Sequence, residues 1–450
     1  MSEQARLPGD RNRRETAAMR LRSAHDREIF ALALPALGAL AAEPLYVLAD
    51  TAIVGHLGVH QLAALGLAGA VLGTLFGIFN FLSYATTAQV ARYDGAGEHE
   101  LAESVAGQAL WLSLAIGLVL FAVALLAASP IVAAMGGRGQ TGRFAVTYLE
   151  IASVGLPFVL VTLAGQGYLR GVSNLRLPLL IVVAGNVANL VLEVLFVYGF
   201  HWGIAGSAAG TAVAQAGMGA AFGRQLYRAA AQQLAIRRER LVRLLRTGGH
   251  LFVRTTALLA TFLVGSAIVA RSGTPSLGAH QVAFQLWIFL ALILDAIAIA
   301  GQVIVARTLG GGDADASFAA ASRMVVLAVL AGVVLGAVFL ATGSLLPRIF
   351  TSDARVLQRV AAIWVIFAAM QPLNGAVFAL DGILIGAGDS SYIMWSMVAS
   401  AAVFAPVAIL TLTLHWGLVG VWLAILALIC ARLALMGSRF LGRRWLVVGA

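Results

Sequence analysis

The sequence predicts an all-α polytopic membrane protein with twelve transmembrane helices in two pseudo-symmetric six-helix bundles around a central cavity. Three observations predict it. The 450 residues are 60% hydrophobic and only 11% charged, with a mean hydropathy of +0.91, more apolar surface than a soluble chain of this size can hide. Twelve apolar stretches reach the roughly 20 residues needed to cross the hydrocarbon. Finally, motifs of the first half return about 215 residues later, the mark of an internal repeat.

Taken in order, residues 1–27 are arginine-rich and polar without a cleavable apolar core, so they read as a basic cytoplasmic tail. The N-terminal bundle, 28–223, holds spans that begin near Glu28, Gln61, Ser104, Phe144, Leu177 and Gly203. A basic amphipathic linker follows at 224–247 and contains "RRERLVRLLR", which suits a helix on the cytoplasmic leaflet. The C-terminal bundle, 248–438, has spans beginning near Gly248, His280, Phe318, Gln358, Ser391 and Trp416, and a cytoplasmic tail closes the chain at 439–450. The repeat ties the bundles together. "VAR" at Val90 returns at Val305, and "GYLRGVSN" at Gly167 matches "GILIGAGD" at Gly382. "HWGIAG" at His201 matches "HWGLVG" at His415, one residue short of the same offset. Six spans per copy start both copies on one side, so the halves are related by an axis along the membrane normal.

Charge sets the orientation. With a cytoplasmic N-terminus, inside loops and adjoining helix ends hold 24 of the 30 arginines, leaving Arg138, Arg143, Arg271, Arg348, Arg355 and Arg359 outside. That is the positive-inside pattern, and it puts both termini in the cytoplasm of a bacterial cell (inner) membrane. Anionic membrane lipid is the expected partner of these arginines, with no nucleic acid and no obligate protein partner. The single Cys430 excludes an internal disulfide, and no metal or cofactor motif is present.

Carboxylates inside the spans carry the chemistry, because each costs ~2.5–3.5 kcal/mol at a helix centre. In "EPLYVLADTAIVGHLG", Glu43, Tyr46 and Asp50 share one helix face, with the two acids roughly 10 Å apart along the axis. Pro44 cannot bond the carbonyl of Leu40, so the first helix can hinge there and offer a free acceptor. Asn189 and Glu193 are i, i+4 neighbours on the fifth span. Two acids in one low-dielectric pocket cannot both ionise cheaply and titrate as a coupled pair, which suits a proton carrier. Two carboxylates, Asn189 and backbone oxygens also suit Na⁺. In the second half, Gln371, Asn374 and Asp381 lie near one face of the tenth span and Asp295 sits inside the eighth, the expected lining for a cationic substrate. These acids are not repeated: Asp50 falls opposite Gly265, Glu193 opposite Val407, Asp381 opposite Gln166 and Asp295 opposite Asn80. A role in holding the fold would act on both copies alike.

The block "LPALGALAAEPLYVLADTAIVGHLG", followed by "TAQVARYDGAG", "QGYLRGVSN" and "NLVLE", resembles the DinF-like branch of the multidrug and toxic compound extrusion (MATE) family, over essentially all twelve spans. The resemblance implies two six-helix bundles forming a V-shaped cavity and ion-coupled antiport of organic cations. It places the family's N-lobe cation or proton site at Asp50, with Tyr46, Asn189 and Glu193 around it and Gln166 as a fourth-span member. Glu193 stands where the branch commonly has aspartate, and Glu43 where an uncharged polar residue is usual. Asp381 matches an aspartate of the Na⁺-coupled branch, whose seventh-span acid has no counterpart in the uncharged "ATFLVGSAIVA".

The expected function is secondary active efflux of amphipathic, cationic compounds against inward H⁺, with Na⁺ as the alternative ion. A rival is a flippase for a lipid-linked precursor. It would need cationic groups in the cavity for the pyrophosphate, whereas the mid-helix charges read as carboxylates. An intramembrane enzyme is not expected: no HExxH or Ser/His spacing occurs, and His201 and His415 beside Trp202 and Trp416 suit interfacial anchors.

Overall fold

A computed structural model describes residues 8–449, with side chains from residue 26 onward. Most of the basic tail expected at 1–27 thus lies outside the described side chains. The first half comprises α1 (Pro8–Gly55), α2 (Val59–Phe79), α3 (Phe81–Gly95), α4 (His99–Ala134), α5 (Gly139–Ser153), α6 (Leu156–Gly171), α7 (Arg176–Val194) and α8 (Ile204–Ala229). The second comprises α9 (Arg238–Ala270), α10 (Thr274–Gly310), α11 (Ala314–Thr342), α12 (Ala354–Ala369), α13 (Gln371–Gly386), α14 (Ser390–Thr413) and α15 (Gly417–Leu441). Joining α2 to α3, α5 to α6 and α12 to α13 gives six rods per half.

Among the described residues, nine helices are long and apolar enough to cross a bilayer, and the two bent pairs bring the number to eleven. The twelfth rod is α8, whose 26 residues are rich in Gly, Ala, Ser and Thr. Its low hydropathy has a packing cause, since small residues let neighbouring helices approach closely. The chain is a multi-pass membrane protein.

The backbone repeats where the sequence repeats. α5/α6 and α12/α13 each bend by 50°, and Pro157 and Pro372, 215 residues apart, open the second segment of each pair. Left-handed residues recur as well. His201 (φ 57°) and Gly203 (φ 56°) return as His415 (φ 56°) and Gly417 (φ 58°), while Gly97 (φ 75°) returns as Gly312 (φ 83°). A non-glycine residue in that region is unfavourable, so a paired occurrence marks a turn imposed twice by the same packing.

The halves join at the end that carries both VAR segments. One core there draws Ile29, Ala36, Leu82 and Ala85 from the first half, with Leu251, Ala300, Ile304 and Ile383 from the second. Toward the other end the cores are separate, around Val54 and Leu149 in one half and Phe367 and Trp422 in the other. At the joint, a Cβ on Gly95 would overlap the carbonyl of Arg307, and one on Gly310 would overlap that of Arg92. The two glycines are 215 residues apart, as are the two arginines, so α3 and α10 cross through matching residues. Ion pairs add to the joint: Arg323 grips Asp26 through two bonds of 2.7 Å, and Arg307 pairs with Glu28.

Two terminal expectations change. The 224–247 segment is not a helix of its own: α8 ends at Ala229, and "RERLVRLLR" forms the first turns of α9, which continues unbroken into the bundle. Gly248 lets α9 lie flush on the ring of Phe81, so the helix passes its glycines without breaking. The tail after α15 is docked rather than free. Trp445 is buried, Gly449 N–H donates to Leu309 at 3.0 Å, and the Arg92 guanidinium donates to the carbonyls of Val447 and Gly449.

Candidate functional site

In the first half, α8 positions the site. Gly206 and Gly210 lie against the backbone of Phe196 and Glu193, which brings α7 close. Ser207 and Thr211, one residue further on, turn toward α1. Ser207 Oγ donates to Asp50 Oδ1 at 2.8 Å, and the hydroxyls of Thr211 and Tyr46 lie 2.8 Å apart. Tyr148 of α5 adds a phenol beside Thr211 and Ser207. Asp50 is 5% exposed and Glu193 is fully buried. The Glu193 carboxyl abuts that of Asp50, with the Ser207 hydroxyl beside both, yet neither Glu193 oxygen makes a hydrogen bond, nor does Asn189 Oδ1. Facing buried carboxylates with one hydroxyl for the two of them carry a desolvation cost of several kcal/mol per ion. A shared proton or a small cation completes such a pair.

Asp50 also opens onto a cavity of about 370 Å³ walled by Leu65, Phe76, Phe79 and Leu160. Glu43, exposed, lines the same cavity together with the half-buried Tyr46 and the buried Tyr148, and no arginine borders it. Pro44 lies within α1, which runs unbroken through it. Immediately past Glu193, α7 widens into a π-helical turn over Leu195–Gly199, and Tyr198 donates to the Ile53 carbonyl at 2.9 Å, which fastens α7 to the end of α1.

The second half holds a different cluster. Asp381 pairs with Arg254, and its Oδ1 accepts from Arg432 at 3.2 Å. Asp295 accepts from Tyr84 of the first half at 3.0 Å, and Asn80 reaches the same phenol. Arg254, Arg432, Asp295, Asp381 and Tyr84 border a cavity of about 270 Å³ whose other walls include Trp287 and Phe378.

Several expectations are corrected here. Asp295 and Asp381 line a cavity, but in the company of arginines, so they do not form an anionic lining for a cation. Gln371 and Asn374 leave the cavity altogether: Gln371 Nε2 donates to Phe367 at 2.6 Å and Gln371 Oε1 accepts from Asn374 at 3.1 Å. They satisfy the carbonyl that the α12/α13 bend exposes. Gln166 is held away from the Asp50 pocket by Arg170, which donates to it at 2.8 Å and to Ser83 at 3.3 Å. Nor are all buried charges carboxylates. Arg170 and Arg432 are each 5% exposed, and Arg254 is nearly as buried. Arg170 does sit in the last turn of α6, whereas Arg254 and Arg432, also expected near cytoplasmic helix ends, lie well inside α9 and α15. The repeat register holds the missed signal, since Arg254 falls opposite Ala39, Arg432 opposite Met218 and Arg170 opposite Ile385. Ser207, Thr211 and Tyr148 gave no such signal, because single hydroxyls are common in small-residue helices.

Among the described residues no group of three or more His, Cys, Asp or Glu side chains could hold a metal ion.

Comparison with known proteins agrees with the repeat. The MatE family profile matches twice, over residues 35–195 and 252–410. The chain is 30% identical to Protein DETOXIFICATION 44, chloroplastic, of Arabidopsis thaliana, over 93% of this chain and 82% of that protein. It is 29% identical to DNA damage-inducible protein F of Escherichia coli strain K12, over 90% of each. Its fold superposes on the outward-facing structure of a multidrug resistance MATE family transporter with a TM-score of 0.83 at 21% identity, covering 94% of this chain and 96% of that one. With both halves matched and relatives aligned along nearly the whole length, the chain belongs to the MATE family of membrane transporters.

Proposed function

We propose that this transporter is a secondary active exporter that expels bulky amphipathic compounds by alternating access, driven by inward H⁺ at the Asp50/Glu193 pair. The observation that carries the reading is the buried carboxyl pair in which Glu193 makes no hydrogen bond and Asp50 has only the Ser207 hydroxyl, an arrangement that a proton or small cation completes. The apolar cavity beside it, bordered by Glu43 and Asp50 without an arginine, fits an amphipathic cation. Protonation from outside changes the bonds that Ser207 makes to Asp50 and frees α1 to bend at Pro44, which narrows the cavity and expels its occupant. Deprotonation toward the cytoplasm restores the straight helix. One positive charge moving inward releases ~2.3 kcal/mol per 100 mV, enough for roughly a forty-fold gradient of a neutral compound, whereas one-for-one exchange with a monovalent cation is electroneutral and draws on ΔpH alone.

The arginine-rich end, which carries α1's start and the docked tail, faces the cytoplasm and its anionic lipids. The halves join there, so this conformation opens outward in the cell membrane. The test is transport of a cationic dye in proteoliposomes under an imposed ΔpH or ΔNa⁺. Drive by ΔpH in the wild type, lost in Asp50→Asn with protein still in the membrane, is the expected result. Drive by ΔNa⁺ alone would replace the proton with Na⁺, and export by Asp50→Asn at the wild-type rate would remove the pair from the mechanism.

A further inference from the structure

The cavity of the second half, unlike that of the first, is lined by arginines, Arg254 and Arg432. Arg170, Arg254 and Arg432 bring three positive charges to a region whose acids are Asp295 and Asp381. Asp381 is shared between Arg254 and Arg432, Asp295 is occupied by the Tyr84 phenol, and Arg170 donates only to the neutral Gln166 and Ser83. With Arg170, which stands beside Asp295 just outside the cavity lining, three cationic charges face two acids and one is unmatched. Donors are left over too: Nε of Arg254 and Nε of Arg432 are buried and have no acceptor, although Arg432 is 95% enclosed. A structural ion network would use those N–H groups, because a buried guanidinium donor is costly to leave open. Beyond the charges, the cavity of about 270 Å³ is walled by Leu258, Trp287, Ile288, Leu292 and Phe378. That is room for a fused aromatic ring system against indole and phenyl faces.

We propose that this cavity binds an amphipathic organic monoanion, its carboxylate on the guanidinium groups of Arg254 and Arg432 and its apolar body on Trp287 and Phe378. Guanidinium forks match a carboxylate through paired charge-assisted bonds, and a single negative charge balances the excess. The inference rests on the reading of the chain as an exporter and names an acid as one class of its substrates, held in the half that lacks the coupling pair.

The experiment measures binding of 2-naphthoate, the neutral 2-naphthamide and the cationic 2-naphthylmethylamine to the full chain in lipid nanodiscs. Naphthoate should bind at least tenfold more tightly than the amide, and Arg432→Gln should remove that advantage. Asp381→Asn should tighten naphthoate several-fold, a direction that misfolding cannot produce. Equal affinity for naphthoate and the amide, or weaker naphthoate binding in Asp381→Asn, overturns the proposal. Geranyl pyrophosphate binding more tightly than naphthoate also overturns it, in favour of a lipid-linked phosphate. Asp50→Asn separates the two readings: it should keep wild-type naphthoate affinity while losing ΔpH-driven export. Loss of naphthoate binding in that variant would make the cavities one site.

Discussion

Asp50 depends on a single hydroxyl, the 2.8 Å bond from Ser207. Removing it in Ser207→Ala leaves the carboxylate facing Glu193 with no donor on either side. We expect ΔpH-driven uptake to fall about three- to tenfold, consistent with a charged hydrogen bond of roughly 1.5–3 kcal/mol only partly expressed in the rate. Glu193→Asp shortens the reach by one methylene and should retain part of the transport, whereas Glu193→Gln should retain none. Asp50, Tyr46, Asn189 and Glu193 were legible because polar groups stand out in apolar runs and helical spacing gathers them. Arg254 and Arg432 were misplaced because they were grouped with the interfacial arginines by position along the helix, when depth in the bundle depends on which face of α9 and α15 packs inward.

At the scale of the element, the α7–α8 contact carries the site. Gly210 leaves a built Cβ 3.1 Å from the Glu193 nitrogen, while Gly217, further along the same helix, has open space around it. Gly210→Leu should push α8 from α7 at a cost of about 1–3 kcal/mol, read as a lower thermal midpoint in detergent together with lost transport. Gly217→Ala should leave the midpoint unchanged or slightly raised, since alanine favours helix by ~1 kcal/mol. A fall for both variants alike would mean that helix propensity, not close packing, governs α8. The twelve rods could be read from apolar periodicity and glycine turns, but α9 begins ten residues before the start expected at Gly248. The π-helical turn at Leu195–Gly199 could not, because it depends on a tertiary bond from Tyr198 to Ile53 that no local pattern encodes. The 50° bends had a local sign in Pro157 and Pro372, but the buried Gln371–Asn374 pair that satisfies one of them looked like cavity lining in a one-dimensional reading.

For the whole molecule, closure at the terminal end rests on α3 and α10 crossing at Gly95 and Gly310. Gly310→Leu should wedge the halves apart there, so amide exchange in segments 88–96 and 303–311 should quicken while exchange in the α14–α15 core stays slow. Unchanged exchange at the crossing would place closure elsewhere. The crossing is self-complementary, each half offering the patch that its counterpart receives, as in a two-fold dimer. Continuity of the polypeptide between Ala230 and Arg237 is therefore dispensable to assembly, and two separately translated fragments should find one another in the bilayer. Two identical first fragments would inherit the same joint, yet such a pair would hold duplicate acid sites and neither Arg254 nor Arg432. Tethering unlike halves is what lets one molecule carry both chemistries.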